Sequence, residues 1–467
     1  MNKVDFFFNK LPLSLLLLLI FFFNFHAIIS KYLFFYKELF SLMFTILTII
    51  YIFYFKLKIV DLIFKNKIYI FFFPYLFLIL IFCFNTGQID PEFSKSSIIL
   101  NNDTGKNFLL LYTIRNFIIL MPVVLFFSLR GISENELKKI LLFIVIVGSI
   151  GLLGQIIYQK YSMEVSLYHY LYNYNFFAFN NTYIPFISSI YVVGTYLILK
   201  EKNSLIIFTI LTIFISFLLF IIILSSAKSP ILFCLCSLIF LLTAFFKKKK
   251  IIVLFFVGKI VIISILIASL NQLHYSYKAS LQSMYENLQK KELKKNEKIL
   301  LLKTKDLMKF YNMDKDSFTL PLFNSKLNRT DLTSRKDVYN SFFDYTKKIT
   351  LSDHKFYFGS GSLSSIFSGY HNDYMRIFYR AGFFGLLFAF IPFFYFFFKF
   401  LIFTFKKYFF NKNDMQTDFD YLLTILLGFN LYYSLFAYPR EDVYQSSTIW
   451  FTLILMYGYL NKKITKK

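Results

Sequence analysis

One stretch of the chain reads GYHNDYMRIFYRAGFFG and brings together residue types that can do chemistry. His371 carries a ring that titrates near neutrality, which suits a general base. Arg376 and Arg380 are fixed cations, and the glycines at 382 and 385 permit close approach of neighbouring helices. Because the stretch lies at the edge of a long apolar run, its chemistry would take place at a membrane surface.

The composition predicts a polytopic membrane protein. Hydrophobic residues make up 57% of the 467 residues and the mean hydropathy is +0.58, well above the values of soluble domains. The net charge of +25 comes from short basic clusters between apolar runs, which fits membrane orientation better than a nucleic-acid partner. All 3 cysteines lie inside apolar runs, so we expect neither a disulfide framework nor a cysteine metal site.

A helix needs about 20 mainly apolar residues to cross the hydrocarbon layer, and the chain offers about twelve such stretches. We therefore predict an all-α membrane protein. The first stretch follows a basic N-terminus, as in a signal peptide, but no A-x-A-like site follows it, so we expect an uncleaved span. The predicted spans are 11–30, 38–55, 68–85, 107–129, 139–158, 176–199, 205–224, 229–246, 251–270, 377–404, 420–438 and 446–461.

Lysines and arginines in the short loops predict the orientation. With the N-terminus in the cytoplasm, the richest clusters, including the run from Lys247 to Lys250 and the terminal NKKITKK, all fall inside. The long polar stretch after span nine then falls outside. We divide the chain into spans one to nine (1–270), an extracytoplasmic, mainly helical loop (271–376), and spans ten to twelve with a cytoplasmic tail (377–467).

The loop carries two helical patterns. Residues 276–310 are basic and amphipathic, which fits either a helix on the membrane surface or a solvated helix of no specific role. Ser334 and Asp337 form a capping-box-like start, which puts Arg335 in the first turn of a second helix. Since helix N-termini attract anions and arginine matches phosphate, Arg335 is either a phosphate ligand or an exposed surface residue.

The small residues after His371 predict a closely packed helix. Gly382, Gly385 and Ala389 fall at i, i+3 and i+7, which puts them on one face of span ten. Counted along such a helix, His371 stands at most ~16 Å above Gly382, at or just above the outer surface of the membrane. This position fits either a general base or an interfacial polar residue.

These motifs resemble those of the bacterial O-antigen ligases and the related O-antigen polymerases. The segment H-N-x9-G-F-F-G, which begins at His371, matches the pattern H-[NSQ]-x9-G-x-x-G. The turn F-G-S-G-S, which begins at Phe358, resembles the family's F-G-x-G-x turn, and the pair S-R that ends at Arg335 resembles its serine-arginine pair. The motifs cover residues 220–400, while the rest of the chain is similar in topology alone.

The resemblance implies transfer of a glycan from an undecaprenyl diphosphate carrier to an acceptor hydroxyl, outside the bacterial cytoplasmic membrane and without a nucleotide or metal cofactor. It implies that His371 is the general base and that Asn372 holds its ring or a substrate hydroxyl. Arg335 and Lys228 would stabilise the departing diphosphate. The family usually has serine and arginine in the turn at Lys228; a lysine keeps the charge without the bidentate geometry, so either a point charge suffices or the donor differs.

Two more arginines are weaker candidates. Arg115, at the outer end of span four, and Arg440, in the turn after span eleven, could contact substrate or could anchor the chain at the membrane interface. Arg380 stands where the family often has an acidic residue, so we expect its role to be structural or specific to this branch.

Two other function classes remain open. A lipid-linked oligosaccharide flippase is expected to have short loops, and a loop far beyond about 15 residues argues against it. A metal-dependent glycosyltransferase would have an acidic pair in its first outer loop, where this chain has Glu38 at the edge.

Between ligase and polymerase, the nine-residue spacing and the position of the loop favour the ligase. The acceptor could be a lipid A core, a growing repeat or a protein side chain.

Overall fold

A computed structural model provides the fold. It describes residues 6–24, 35–57, 67–84, 104–163, 183–200, 205–224, 228–245, 342–344, 346–359, 372–410, 419–433 and 450–460, and the single positions 33 and 64. Within these ranges all regular structure is helical. Predicted span nine, the amphipathic segment 276–310 and the capping-box-like start at Ser334 lie outside the described residues.

The described helices fall at the positions of the other predicted spans, apart from one short helix that falls within the predicted loop. In the part of the chain that the structure describes, four stretches are long and apolar enough to cross a membrane: Phe7–Asn24, Tyr36–Tyr54, Glu134–Gly154 and Ile377–Lys406. A π-helical turn, Phe6–Lys10, leads into the first helix. The helices are α1 (Leu11–Asn24), α2 (Tyr36–Tyr54), α3 (Tyr69–Phe84), α4 (Thr104–Arg130), α5 (Glu134–Met163), α6 (Tyr183–Lys200), α7 (Leu205–Leu224), α8 (Lys228–Phe245), α9 (His354–Phe358), α10 (Asp373–Phe410), α11 (Phe419–Tyr433) and α12 (Trp450–Leu460).

Helix α6 lies at the centre of the bundle. It packs on α5, α7, α8 and α11, and every residue from 187 to 199 is buried. Its sequence is mainly apolar on all sides, as such a position requires, and its polar residues Ser188, Ser189 and Thr195 are buried too. By contrast, α2 and α10 leave many large apolar side chains exposed, including Leu42, Phe53 and Phe398, as expected of helices that face lipid.

Close approach and polar contacts join the helices, since lipid offers no hydrophobic force between them. A Cβ atom added to Gly194 would lie 2.8 Å from Ile215, so α6 and α7 pack closely only because a glycine is present. The hydroxyl of Ser41 donates to the carbonyl of Ile118 at 2.9 Å and ties α2 to α4.

The turn between α4 and α5 forms part of one end of the bundle. Gly131, with φ 80°, ends α4. Ser133 then starts α5 with a reciprocal capping box: its hydroxyl accepts from the Glu136 amide at 3.2 Å, and the Glu136 carboxylate accepts from the Ser133 amide at 2.8 Å. Arg130 pairs with Glu136 and donates to Asn9 at 3.1 Å.

Other segments predicted to be cytoplasmic meet at this same end, which we call the basic end. Lys67 donates through Nζ to Tyr395 at 3.0 Å, and the Tyr457 hydroxyl donates to the Lys67 carbonyl at 3.3 Å. The Ile132 amide donates to the Gly458 carbonyl at 3.0 Å, which joins the α4–α5 turn to α12. Lys67 and Arg130, both from segments predicted to be cytoplasmic, therefore share one end of the bundle, in agreement with the alternation of the charges.

Candidate functional site

Helix α10 is a hairpin of two helical segments. The ring of Tyr374 stacks on that of Phe390, with centroids 4.0 Å apart and planes at 14°. In a straight helix these residues would stand roughly 24 Å apart. The chain reverses at Gly382, whose φ of 66° and ψ of −162° are not helical. Residues 373–381, which we call the re-entrant segment, thus fold back along residues 383–390.

This hairpin corrects our prediction for span ten. Gly382 does not share a helical face with Gly385 and Ala389, because it is the hinge between the two segments. The end of the re-entrant segment that follows His371 does not rise above Gly382; it turns back into the bundle, where the Tyr374 hydroxyl donates to the Leu431 carbonyl at 2.9 Å. Hydrophobic spacing could not reveal the reversal, since it comes from one glycine at positive φ.

Asn372 begins the re-entrant segment as its N-cap. It is 7% exposed, and its Oδ1 accepts a hydrogen bond from the Met375 amide at 3.1 Å, the arrangement that satisfies a free donor at a helix start. The nine residues between Asn372 and Gly382 are therefore one short helix with a cap at one end and a hinge at the other. His371 directly precedes the cap in the sequence and lies outside the described residues.

The F-G turn of the second motif ends α9. Asp353 starts this helix by accepting from the Lys355 amide at 2.9 Å. Gly359 stops it with φ 79°, and its amide donates to the Lys355 carbonyl at 2.8 Å. A short helix with both ends fixed in this way presents its aromatic residues in defined directions.

The two motifs meet backbone to backbone at Gly359 and Gly382, which we call the glycine contact. A Cβ atom on Gly382 would lie 2.5 Å from the amide nitrogens of Phe358 and Gly359. A Cβ atom on Gly359 would overlap the backbone of Arg380 and Ala381. Both glycines also have positive φ, which other residues rarely adopt. Only glycine therefore fits at either position.

Aromatic rings surround the glycine contact. Phe356 of α9 stacks on Phe383, with ring centroids 6.0 Å apart and planes at 10°. It also meets Phe378 of the re-entrant segment edge to face at 5.8 Å. Tyr357 packs on Phe384 at 5.6 Å. These rings bind α9 to both arms of the hairpin, and offset or edge-to-face pairs stabilise such packing.

Arg380 is 4% exposed and stands at the C-terminal end of the re-entrant segment. A cation there complements the partial negative charge of a helix C-terminus. Its backbone is part of the surface that Gly359 touches. These observations support the structural role expected for it from the sequence.

The structure brings some of the predicted site residues together and leaves others untested. Asn372 and the glycines of both motifs belong to one assembly. Lys228 lies at the first described residue of α8, and Arg115 lies within α4; their side chains are not described. Arg335, His371 and Arg440 fall outside the described residues. Sequence reasoning missed the hairpin, although the fixed nine-residue spacer could have indicated a helix between a cap and a hinge.

Apolar spans and a helical bundle define the chain as a polytopic membrane protein. Residues 211–390 match the family model described as O-antigen ligase, and this match supports a relation to the O-antigen ligase and polymerase superfamily. The matched segment includes α8, α9, the hinge and the glycine contact. It supports glycan transfer of the O-antigen ligase or polymerase type, with lipid-linked glycan substrates in a membrane. A search of curated proteins finds no match.

Proposed function

We propose that the protein is an O-antigen ligase that transfers a glycan from an undecaprenyl diphosphate carrier to an acceptor hydroxyl on the outer face of the bacterial cytoplasmic membrane. The glycine contact carries this proposal. It joins the F-G-x-G turn to the H-N-x9-G-x-x-G motif, so two segments with the family's spacing form one assembly inside the matched region. An accidental sequence resemblance would not require such a contact.

The re-entrant segment suits the positioning of a general base. Its cap at Asn372 and its hinge at Gly382 fix both ends of a short helix, and His371 is joined directly to the capped end. In the proposed reaction the acceptor oxygen bonds to the anomeric carbon of the glycan while the bond from that carbon to the diphosphate oxygen breaks. The hydroxyl proton passes to His371, and the diphosphate leaves on its carrier.

Arg335 and Lys228 are the proposed cations for the departing diphosphate. Arg115 and Arg440 remain weaker proposals for a second substrate contact. Asn372 has two proposed roles. Its Oδ1 caps the re-entrant segment, and we propose that its side-chain NH2 group contacts His371 or a substrate hydroxyl.

A reconstituted assay tests glycan transfer against transport. The purified protein is placed in liposomes with a polyprenyl-diphosphate-linked glycan and a candidate acceptor, without nucleotide and in the presence of a chelator. We expect covalent transfer of the glycan and release of the carrier diphosphate. Movement of the intact lipid-linked glycan between leaflets, with no product, would contradict the proposal and favour a flippase.

The runner-up is a polysaccharide polymerase of the same superfamily. Deletion of the gene separates the two activities by the glycans that accumulate. Loss of a ligase leaves long polymer on the carrier, which is the result we expect. Loss of a polymerase leaves single-repeat glycans attached to the acceptor, and that pattern would overturn the assignment as a ligase.

A further inference from the structure

We propose that the described end of the loop, residues 342–344 and 346–359, rests in the membrane interface and binds anionic phospholipid headgroups beside the hinge. We call these residues the loop end. The proposal concerns where this segment lies, so it does not depend on which glycan or acceptor the protein uses.

The loop end exposes large apolar side chains although its sequence is polar on average. Leu351 is 69% exposed, Phe343 is 54% exposed and Phe358 is 45% exposed. Phe342 and Phe356 of the same segment are half-buried and pack on Phe378 of the re-entrant segment. The loop end thus holds the protein with some of its apolar side chains and presents others to the surroundings.

The exposed apolar groups continue the lipid-facing surface of α10. Phe383, 41% exposed, stacks on Phe356 of the loop end. From Phe383 to Lys406 the helix is roughly 36 Å long, against a hydrocarbon thickness of about 30 Å. Phe383 therefore stands near one edge of the hydrocarbon layer. The exposed large apolar residues below it on α10 are Ile391, Phe394, Tyr395, Phe398, Ile402 and Phe405.

Charge supplies the second part of the argument. Lys347 is 78% exposed, and its pairing with Asp344 is long, at 3.8 Å between two exposed side chains. Such a surface pair contributes little and leaves the ammonium able to meet a lipid phosphate. Lys348 is also exposed. Lysines beside exposed Phe and Leu are typical of segments that lie in the interface of anionic membranes.

The chain has 1 tryptophan, which makes the test simple. Trp450 is buried, 3% exposed, and a Trp450→Phe background leaves a protein without tryptophan. Leu351→Trp in that background reports on the loop end, and Phe343→Trp is a second reporter if the first variant folds poorly. Phe398→Trp is the matched lipid-facing control, and wild-type Trp450 is the buried one.

Fluorescence quenching in liposomes then locates the reporter. With lipids brominated near the headgroup end of the acyl chain, we expect Leu351→Trp to be quenched at least half as strongly as Phe398→Trp, and iodide in the water to quench it weakly. Strong quenching by iodide together with none by brominated lipid would overturn the proposal.

The identity of the lipid is tested with the same reporter. Brominated phosphatidylglycerol should quench Leu351→Trp more than brominated phosphatidylcholine at equal mole fraction. Adding Lys347→Glu and Lys348→Glu should remove that difference while quenching by phosphatidylcholine persists. Equal quenching by the two lipids before the lysines are changed would show an apolar contact without headgroup recognition, and would reject the anionic part of the proposal.

Discussion

The two ends of the bundle are held together in different ways. At the basic end, most contacts involve a side chain: the Ser133–Glu136 capping box, the Arg130–Asn9 bond and the bond from Lys67 to Tyr395. One backbone bond, from Ile132 to Gly458, accompanies them. Around the hinge at Gly382, which we call the hinge end, α9 and α10 meet through the backbone of two glycines at positive φ, Gly359 and Gly382. A single hydrogen bond contributes about 0.5–1.5 kcal/mol and can be lost. A glycine in such a contact has no substitute.

The difference indicates where the protein requires exact geometry. The basic end needs a closed turn, and several overlapping bonds supply it. The hinge end must fix the position of the F-G turn relative to the re-entrant segment, and the glycine contact allows a single arrangement of the two. Predictions that follow from this difference range from loss of activity at the hinge end to a small loss of stability at the basic end.

The largest effect is expected from the proposed catalytic residues. His371→Ala should reduce transfer by ~10² to 10⁴-fold, because removal of a general base typically costs that much. Arg335→Ala should reduce it by ~10² to 10³-fold, which is typical of the loss of one group that stabilises developing charge. Both variants should stay inserted in the membrane. The double variant should be little worse than either single one if both residues serve one transition state. Initial rates in liposomes measure this. Multiplicative losses would mean that the two side chains act in separate steps.

The glycine contact should be next in sensitivity. Gly382→Ala places a side chain at φ 66° and ψ −162°, a region essentially restricted to glycine, which costs about 1–3 kcal/mol before any overlap is counted, and it drives a Cβ atom into α9. We expect transfer to fall at least ~10-fold, equivalent to about 1.4 kcal/mol in the barrier. Gly428→Ala is the control, because its Cβ would also meet a close neighbour, the ring of Phe397 at 2.9 Å, but lies outside the glycine contact. Equal activity in both variants would remove the contact from the account.

Lys228 should show an intermediate effect that depends on charge. Lys228→Ala should lower transfer about 10-fold or more, which corresponds to about 1.4 kcal/mol of transition-state stabilisation. Lys228→Arg should retain activity, because arginine keeps the charge and adds donors. Rates for the two variants, measured in parallel, decide the matter. Full activity in the alanine variant would exclude Lys228 from the site.

The smallest effect is expected at the basic end. Ser133→Ala removes one side of the capping box of α5 and should lower the free energy of unfolding by about 1 kcal/mol. Transfer by the purified protein at moderate temperature should be unchanged. A thermal melt of the detergent-solubilised protein, followed by transfer assays, provides both numbers. A large loss of activity would show that the two ends are coupled.

Much of the bundle could be predicted because apolar run length determines where helices lie. Spans seven and eight were predicted at 205–224 and 229–246, and the helices are Leu205–Leu224 and Lys228–Phe245. Charge alternation likewise predicted that Lys67 and Arg130 share one end. Hydrocarbon thickness and the cost of burying charge impose both patterns on the sequence.

The hinge could not be predicted in the same way. Periodicity treats residues 373–410 as one helix, and the reversal depends on a single dihedral angle at Gly382 together with a partner, Gly359, that is distant in the sequence. The role of Asn372 as a cap was likewise invisible, because the same residue type suits a substrate contact. Resemblance to a family indicated which residues matter, and the backbone geometry shows what the two glycines and the cap do.

The most direct test of the account is the transfer rate of His371→Gln in purified, lipid-reconstituted protein. Glutamine keeps a hydrogen-bonding group but takes up no proton at neutral pH, so it separates a base from an orienting residue. The account predicts a loss of ~10²-fold or more, with insertion and thermal stability unchanged. A wild-type rate would contradict it and would leave His371 as an orienting or structural residue next to the capped end of the re-entrant segment.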